Sequence, residues 1–320
     1  MTTIANHERR QMQVAGKEVL ADGVVRLTLV DHDGATAPAW TPGSHVDLIL
    51  DDTITRQYSL CGDPGDTTSL TVAVLREADG RGGSIFVHDK LDTGDVVAVG
   101  GPRNHFALVD ADSYLFVAGG IGITPLLPMV REVEAKGTSW QMLYGGRTRA
   151  SMAFADELAE THPERVRIRP QDQHGHLDLG AALDEVEPGT VVYCCGPEPL
   201  LQAIESACRE RPHVTLHVER FAPKEVPAGA DDGAFEVQLD RTGKAVQVAA
   251  DETILDAVLR EGVDADFSCR EGTCGTCEVA VLGGTPDHRD SVLSEDEQAE
   301  NDAMMICVSR SCTPKLILDL

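Results

Sequence analysis

The sequence predicts a multidomain chain of mixed α/β and β class: an antiparallel β-barrel, then a parallel α/β domain, then a small domain of strands and one helix. Three observations carry this. Across residues 10–110 short apolar runs alternate with turn residues in "VVRLTLVD", "HVDLIL", "SLTVAVL" and "DVVAVGGP", with one helix-like stretch, "SIFVHDKL". From about residue 113 the pattern becomes strand, Gly-rich turn, helix: "SYLFVAGGIGITPLLPMVREVEAKG", "WQMLYGGRTRASMAFADELAE" and "TVVYCCGPEPLLQAIESACRE". Such units build a parallel sheet covered by helices, with ligand sites at the strand C-terminal ends. After Phe221, "APKEVPAGADDG" has no hydrophobic periodicity and reads as a linker. "FEVQLDRTGKAVQVAADETILDAVLREG" then reads as a β-hairpin followed by a helix starting near Asp251–Thr253. The boundaries expected are 1–110, 111–222, a linker at 223–233, and 234–320.

At 320 residues the chain exceeds what one hydrophobic core usually serves, in agreement with several domains. No apolar run is long enough to cross a bilayer or form a signal-peptide core, so a cytoplasmic protein without membrane contact is expected. The formal charge of −26 argues against nucleic-acid binding, which needs clustered Lys and Arg. Residues 229–320 carry 20 acidic and 7 basic side chains. That excess serves solubility, or steers docking to a positively charged protein partner.

Nine cysteines without a secretory signal argue against a disulfide framework and turn attention to metal. Cys269, Cys274 and Cys277, spaced x4 and x2, followed by the distant Cys307, match the plant-type [2Fe–2S] pattern. A loop of small residues, Gly272, Thr273, Gly275 and Thr276, lets three thiolates approach a flat two-iron rhomb from one side. A four-thiolate zinc site usually pairs two CxxC knuckles, and only one is present. Unligated thiols are the other alternative. The last 90 residues resemble a plant-type ferredoxin, which implies a β-grasp domain. Cys61, Cys208 and Cys312 lie outside the pattern and are expected to pack as buried thiols.

In "TRQYSL" Arg56 and Tyr58 face one way along a strand, with Ser59 next to them. A surface Arg beside a core Tyr would give the same string. In "GRGGSIFVHDKL" Gly82, Gly83 and Ser84 precede a short helix whose free N–H groups suit a phosphate; an ordinary glycine turn with a Ser cap is the alternative. The first string resembles the RxYS signature of the ferredoxin-reductase flavoprotein superfamily. The resemblance implies Arg56 on the flavin phosphate, Tyr58 against the isoalloxazine and Ser59 near its N5 edge.

"LFVAGGIGITPLLPM" places Gly119, Gly120 and Gly122 between a buried strand and a helix, where the backbone can approach a pyrophosphate. The form GxGxxTP departs from the Rossmann fingerprint and is similar to that of the reductase superfamily, implying pyrophosphate near Gly120–Thr124. Cys195-Gly196-Pro197 resembles the superfamily's CGP motif, whose cysteine sits beside nicotinamide and flavin during hydride transfer. Adjacent strand residues point oppositely, so only one of Cys194 and Cys195 faces the cleft, and register favours Cys195. Arg147 is placed to hold a ribose or a 2′-phosphate. Phe221 matches the aromatic residue that lies against the flavin in relatives, a core Phe being the alternative. His88, His105, His174 and His176 read as exposed or helix-packed.

In domain order the chain resembles the phthalate dioxygenase reductase and vanillate demethylase reductase group, which implies FMN, NADH and a [2Fe–2S] cluster. The expected activity is an NADH-dependent relay, with Cys195 and Ser59 at the hydride-transfer centre and an acceptor oxygenase as partner. The partner is a Rieske-type oxygenase or demethylase, or else a cytochrome P450. An iron–sulfur carrier without hydride chemistry is the third reading. The chain is expected to act as a monomer.

Overall fold

The computed structural model describes residues 9–51, 53–223 and 233–320, and most of the predicted linker, 224–232, lies outside them. Of the described residues, those from 9 to 219 form one compact unit and those from 220 onward the other.

The first unit opens with six strands: β1 (Arg10–Ala21), β2 (Val24–Asp31), β3 (Ser44–Ile49), β4 (Thr55–Ser59), β5 (Ser69–Leu75) and, after helix α1 (Gly83–Asp89), β6 (Val96–Asn104). They pair antiparallel in the order β4-β3-β6-β1-β2-β5, and a Leu60–Val72 bridge joins the end of β4 back to β5. Apolar residues alternate with partly exposed ones along β2, and Leu27, Leu29, Val46, Leu48, Leu70 and Val72 fill the interior. The helix-like stretch in this region is α1, as expected.

Next come β7 (Ser113–Gly119), α2 (Leu126–Ala135), β8 (Ser139–Gly146), α3 (Ala155–Thr161), β9 (Val166–Pro170), α4 (Gln171–His174), α5 (Leu179–Asp184), β10 (Thr190–Cys195), α6 (Glu198–Arg209) and β11 (Thr215–Glu219). All five strands are parallel, in the order β11-β10-β7-β8-β9. Chain order therefore reverses between β7 and β10, and the crevice beyond their C-terminal ends is where such sheets bind ligands. The predicted boundary near residue 110 falls between β6 and β7. Across it Val24, Cys61 and Ala73 of the barrel share one apolar interior with Phe116 and Leu127.

The second unit holds β12 (Phe235–Leu239), β13 (Ala245–Val248), α7 (Ile254–Arg260), β14 (Glu278–Gly283), β15 (Pro286–Asp287), α8 (Glu295–Glu300), β16 (Ala303–Met305), β17 (Arg310–Ser311) and β18 (Lys315–Leu318). Its mixed sheet runs β13-β12-β18-β14-β16, with β12 and β18 parallel. The helix α7 starts after Thr253, whose hydroxyl accepts from Asp256 N at 3.0 Å, so the predicted start is observed with its cap. Ile254, Leu255 and Val258 bury the inner face of α7 against Val237, Met305 and Leu316. No helix among the described residues is long and apolar enough to cross a membrane.

Candidate redox site: a hydride cleft and a four-cysteine loop

The glycine turn after β7 and the Cys195-Gly196-Pro197 turn after β10 interlock at the reversal point. A Cβ on Gly122 would stand 2.2 Å from the Cys195 carbonyl oxygen, and one on Gly119 would stand 2.7 Å from Pro197 Cδ. A Cβ on Gly196 would in turn meet Gly119 Cα at 2.9 Å. These glycines are required because two backbones pass in contact. The turn itself is a single 3₁₀ turn, Gly120–Ile123, before α2. The buried Tyr144 hydroxyl lies 3.1 Å from the Gly120 carbonyl and 3.0 Å from that of Ala153, fixing the turn to the next strand. Thr124 is buried, and its hydroxyl donates to the Ile121 carbonyl at 2.9 Å.

Cys194 and Cys195 separate as the strand alternation predicts. Cys194 packs in the apolar layer with Leu115, Val117 and Ile204, whereas Cys195 lies on the opposite face. There the Cys195 thiol donates to Glu219 Oε2 at 3.9 Å, and the Ser59 hydroxyl donates to the same oxygen at 3.4 Å. Burial pushes the Glu219 carboxyl up to about 8 against the smaller opposing pull of the two donors, so it carries a proton near neutrality. Burial, reinforced by Glu219, also raises Cys195 well above the usual thiol range and keeps it a neutral thiol. The structure thus brings Ser59 of the barrel and Cys195 of the parallel sheet onto one carboxyl. Sequence reasoning passed over Glu219. Its one signal was a carboxylate at the end of β11, level with Cys195 in the parallel register.

Beside this cleft, β4 carries Arg56 to the turn that opens α1. Its guanidinium donates to the carbonyls of Thr55 and Arg81, both at 2.7 Å, and a Cβ on Gly83 would come within 2.3 Å of Arg56 Cγ. Gly82 takes φ of +84°, which turns the chain into the helix. Ser84 is not the cap; its hydroxyl oxygen accepts from Glu77 N at 3.1 Å, leaving its own proton available to a ligand. Tyr58 is partly buried against the barrel core, and burial raises its hydroxyl to about 12. Arg147 is exposed in the turn after β8, while the nearby Arg149 is held by Asp156 at 2.5 Å. Phe221 is 45% exposed, which rules out the core reading.

In the second unit the loop 269–277 turns back on itself through positive φ at Arg270, Gly272 and Gly275. Arg270 anchors it, pairing with Asp256 of α7 at 2.7 Å and lying over the Phe267 ring at 4.5 Å. The thiol of Cys269 is influenced by those of Cys274 and Cys307, and that of Cys307 also by Cys277. Those neighbouring thiols hold Cys269 far below the usual thiol range and push Cys274 and Cys307 far above it. Thiols that oppose one another's ionisation in this way ionise together only when a cation shares the charge, which is the demand that iron meets. Among the described residues no group of three or more His, Cys, Asp or Glu side chains stands in the arrangement of a ready-made metal site. Glu271 N donates to Cys269 Sγ at 3.3 Å, and Thr276 Oγ1 lies 3.2 Å from Cys274 Sγ, contacts of the type that tune thiolate-bound iron. Among the described residues the other cysteines form no disulfide. Cys61 and Cys208 are buried as expected, but Cys312 is exposed because β17 ends just before it.

The fold and the two sites define a pyridine-nucleotide oxidoreductase that carries an iron–sulfur domain. Residues 116–206 match the family of oxidoreductase NAD-binding domains, and residues 237–312 match the family of 2Fe-2S iron-sulfur cluster binding domains. The chain is 46% identical over 280 residues to the phenoxybenzoate dioxygenase subunit beta of Ectopseudomonas oleovorans, 87% of each chain being covered. The solved structure of phthalate dioxygenase reductase, described as modular for electron transfer from pyridine nucleotides to [2Fe-2S], matches at 35% identity. Its TM-score is 0.71, and 98% of each chain is covered. An intact type IV self-sufficient cytochrome P450 monooxygenase matches at 45% identity with a TM-score of 0.91; all of this chain is covered, and it spans 43% of that longer protein. The chain belongs to the phthalate dioxygenase reductase family.

Proposed function

We propose that this chain is the NADH-oxidising reductase of a multicomponent oxygenase, using FMN and one [2Fe–2S] cluster to supply single electrons to a Rieske-type oxygenase or demethylase. The observation that carries the reading is the convergence of Ser59, Cys195 and Glu219 at the reversal point of a nucleotide-binding sheet, in a chain that also holds the Cys269–Cys277 loop and Cys307. Bound flavin would supply a two-electron acceptor able to release electrons singly, which the one-electron cluster requires.

The protein's own residues supply the setting. Arg56, with Gly82, Gly83 and Ser84, forms a cradle for one terminal phosphate, which suits FMN. The interlocked turns at Gly119–Gly122 and Cys195–Pro197 bring a dinucleotide's pyrophosphate to Gly120–Thr124 and its nicotinamide to Cys195. Arg147 lies at the adenosine end. Cys195, kept neutral, presents no anion to the nicotinamide, and Glu219 holds a proton within reach of Ser59, which borders the flavin N5 edge. Cys269, Cys274, Cys277 and Cys307 hold the cluster. The chain is taken to act as a monomer in a reducing, cytoplasmic compartment, in keeping with cysteines that form no disulfide.

The relatives matched over most of their length include a dioxygenase subunit and a dioxygenase reductase, which favours the Rieske partner. The match to part of a self-sufficient P450 supports the second reading, a P450 acceptor. Reconstitution separates them. Purified chain with NADH and FMN is expected to reduce cytochrome c and to drive turnover by a Rieske oxygenase at least tenfold faster than by a P450. The opposite ratio favours the second reading, and no NADH-dependent reduction of cytochrome c contradicts both.

A further inference from the structure

Asp290 lies where the two halves of the cysteine set join, and its side chain is fully buried. Its Oδ2 accepts from the backbone N–H groups of Val292 at 3.1 Å and Leu293 at 2.8 Å, and its Oδ1 accepts from the Ser309 hydroxyl at 3.4 Å. The segment around it touches both halves. Ser291 N donates to the Gly272 carbonyl at 2.8 Å, and a Cβ on Gly272 would stand 3.0 Å from Asp290 Cα. Gly272 falls between Cys269 and Cys274, and Ser309 is two residues past Cys307. Among the described residues no Lys or Arg pairs with Asp290. The nearest basic atom is His288 Nδ1 at 3.8 Å, and both ring nitrogens of His288 are buried without a hydrogen-bond partner.

A buried carboxylate held by three donors but paired with no Lys or Arg is costly to keep, and its field is poorly screened. We propose that Asp290 is a potential-setting residue for the [2Fe–2S] centre: its fixed negative charge opposes the charge added on reduction and makes the reduced centre a stronger electron donor. This rests on the cluster assignment made above. A capping role for Asp290 alone would need its oxygens and not its charge.

The test is the midpoint potential of the cluster in the purified full chain, followed by electron paramagnetic resonance during a redox titration. Asp290→Asn, which keeps an acceptor oxygen, is expected to shift the reduction equilibrium at least tenfold toward the reduced form, 59 mV for a one-electron couple. Asp290→Glu, which restores the charge, is expected to stay within threefold of the parent, as is Glu295→Gln on the exposed face of α8. An Asn variant with an unmoved potential overturns the proposal. Should Asn fail to retain the cluster, Asp290→Ser takes its place; loss of the cluster from both overturns the proposal too, because it would show that Asp290 only holds the loop. A parent chain with no iron–sulfur signal would instead remove the cluster assignment itself.

Discussion

The hydride cleft and the cysteine loop solve opposite problems of assembly. Three of the four thiols on the loop are neighbours in sequence, so small residues and positive φ angles suffice to gather them, and only Cys307 has to be brought from afar. The cleft is built from residues that share nothing locally. Ser59 comes from the barrel, Cys195 from β10 of the parallel sheet and Glu219 from its edge strand, and they meet because the barrel and the parallel sheet pack against each other through Val24, Cys61 and Ala73. A local site tolerates distant change and fails at a single ligand, whereas a site made of converging backbones fails when any of them is displaced.

Cys274→Ser is expected to have the largest effect. It removes one ligand from the loop and should lower cytochrome c reduction at least 100-fold, with loss of the visible and paramagnetic cluster signals. NADH-to-flavin reduction, measured by stopped flow, should stay within twofold. Gly122→Ala attacks the other site. The added methyl must displace the Cys195 carbonyl at the interlock, an overpacking cost of about 1–3 kcal/mol. The rate of flavin reduction by NADH is expected to fall about tenfold or more, while cluster absorbance is unchanged. Were both signals lost together in either variant, the two sites would not be separable.

Glu219→Gln should give the smallest change in rate at pH 7 and the clearest change in pH dependence. With the folded carboxyl at about 8 and the unfolded one near the usual 4.5, the folded chain retains a proton that the unfolded chain releases between those values. Stability from this group is therefore present at low pH and is lost as pH rises through the window. Urea midpoints of the parent are expected to fall from pH 5 to 9 more steeply than those of the Gln variant. Parallel curves would mean that the carboxyl ionises normally.

The same contrast explains what could be read from sequence. The x4-x2 cysteine spacing, the alternation of Cys194 and Cys195 and the start of α7 depend on chain-local geometry and were legible. The interlock of Gly119 with Gly196 and the arrival of Glu219 beside Cys195 depend on strand order and register, which one sequence does not encode in any local pattern. Exposure is likewise a tertiary property. Cys312 was expected to pack and instead lies exposed, and Phe221 is too exposed to be a core residue.

The central claim is that one chain holds a two-electron centre and a separate one-electron centre. Anaerobic titration with NADH, following flavin and cluster together, tests it most directly. Full reduction is expected to take about 1.5 equivalents of NADH per parent chain and about 1 per Cys274→Ser chain, from two electrons on flavin and one on the cluster. Equal end points for the two proteins, or a parent chain that takes up no electrons from NADH, would contradict it.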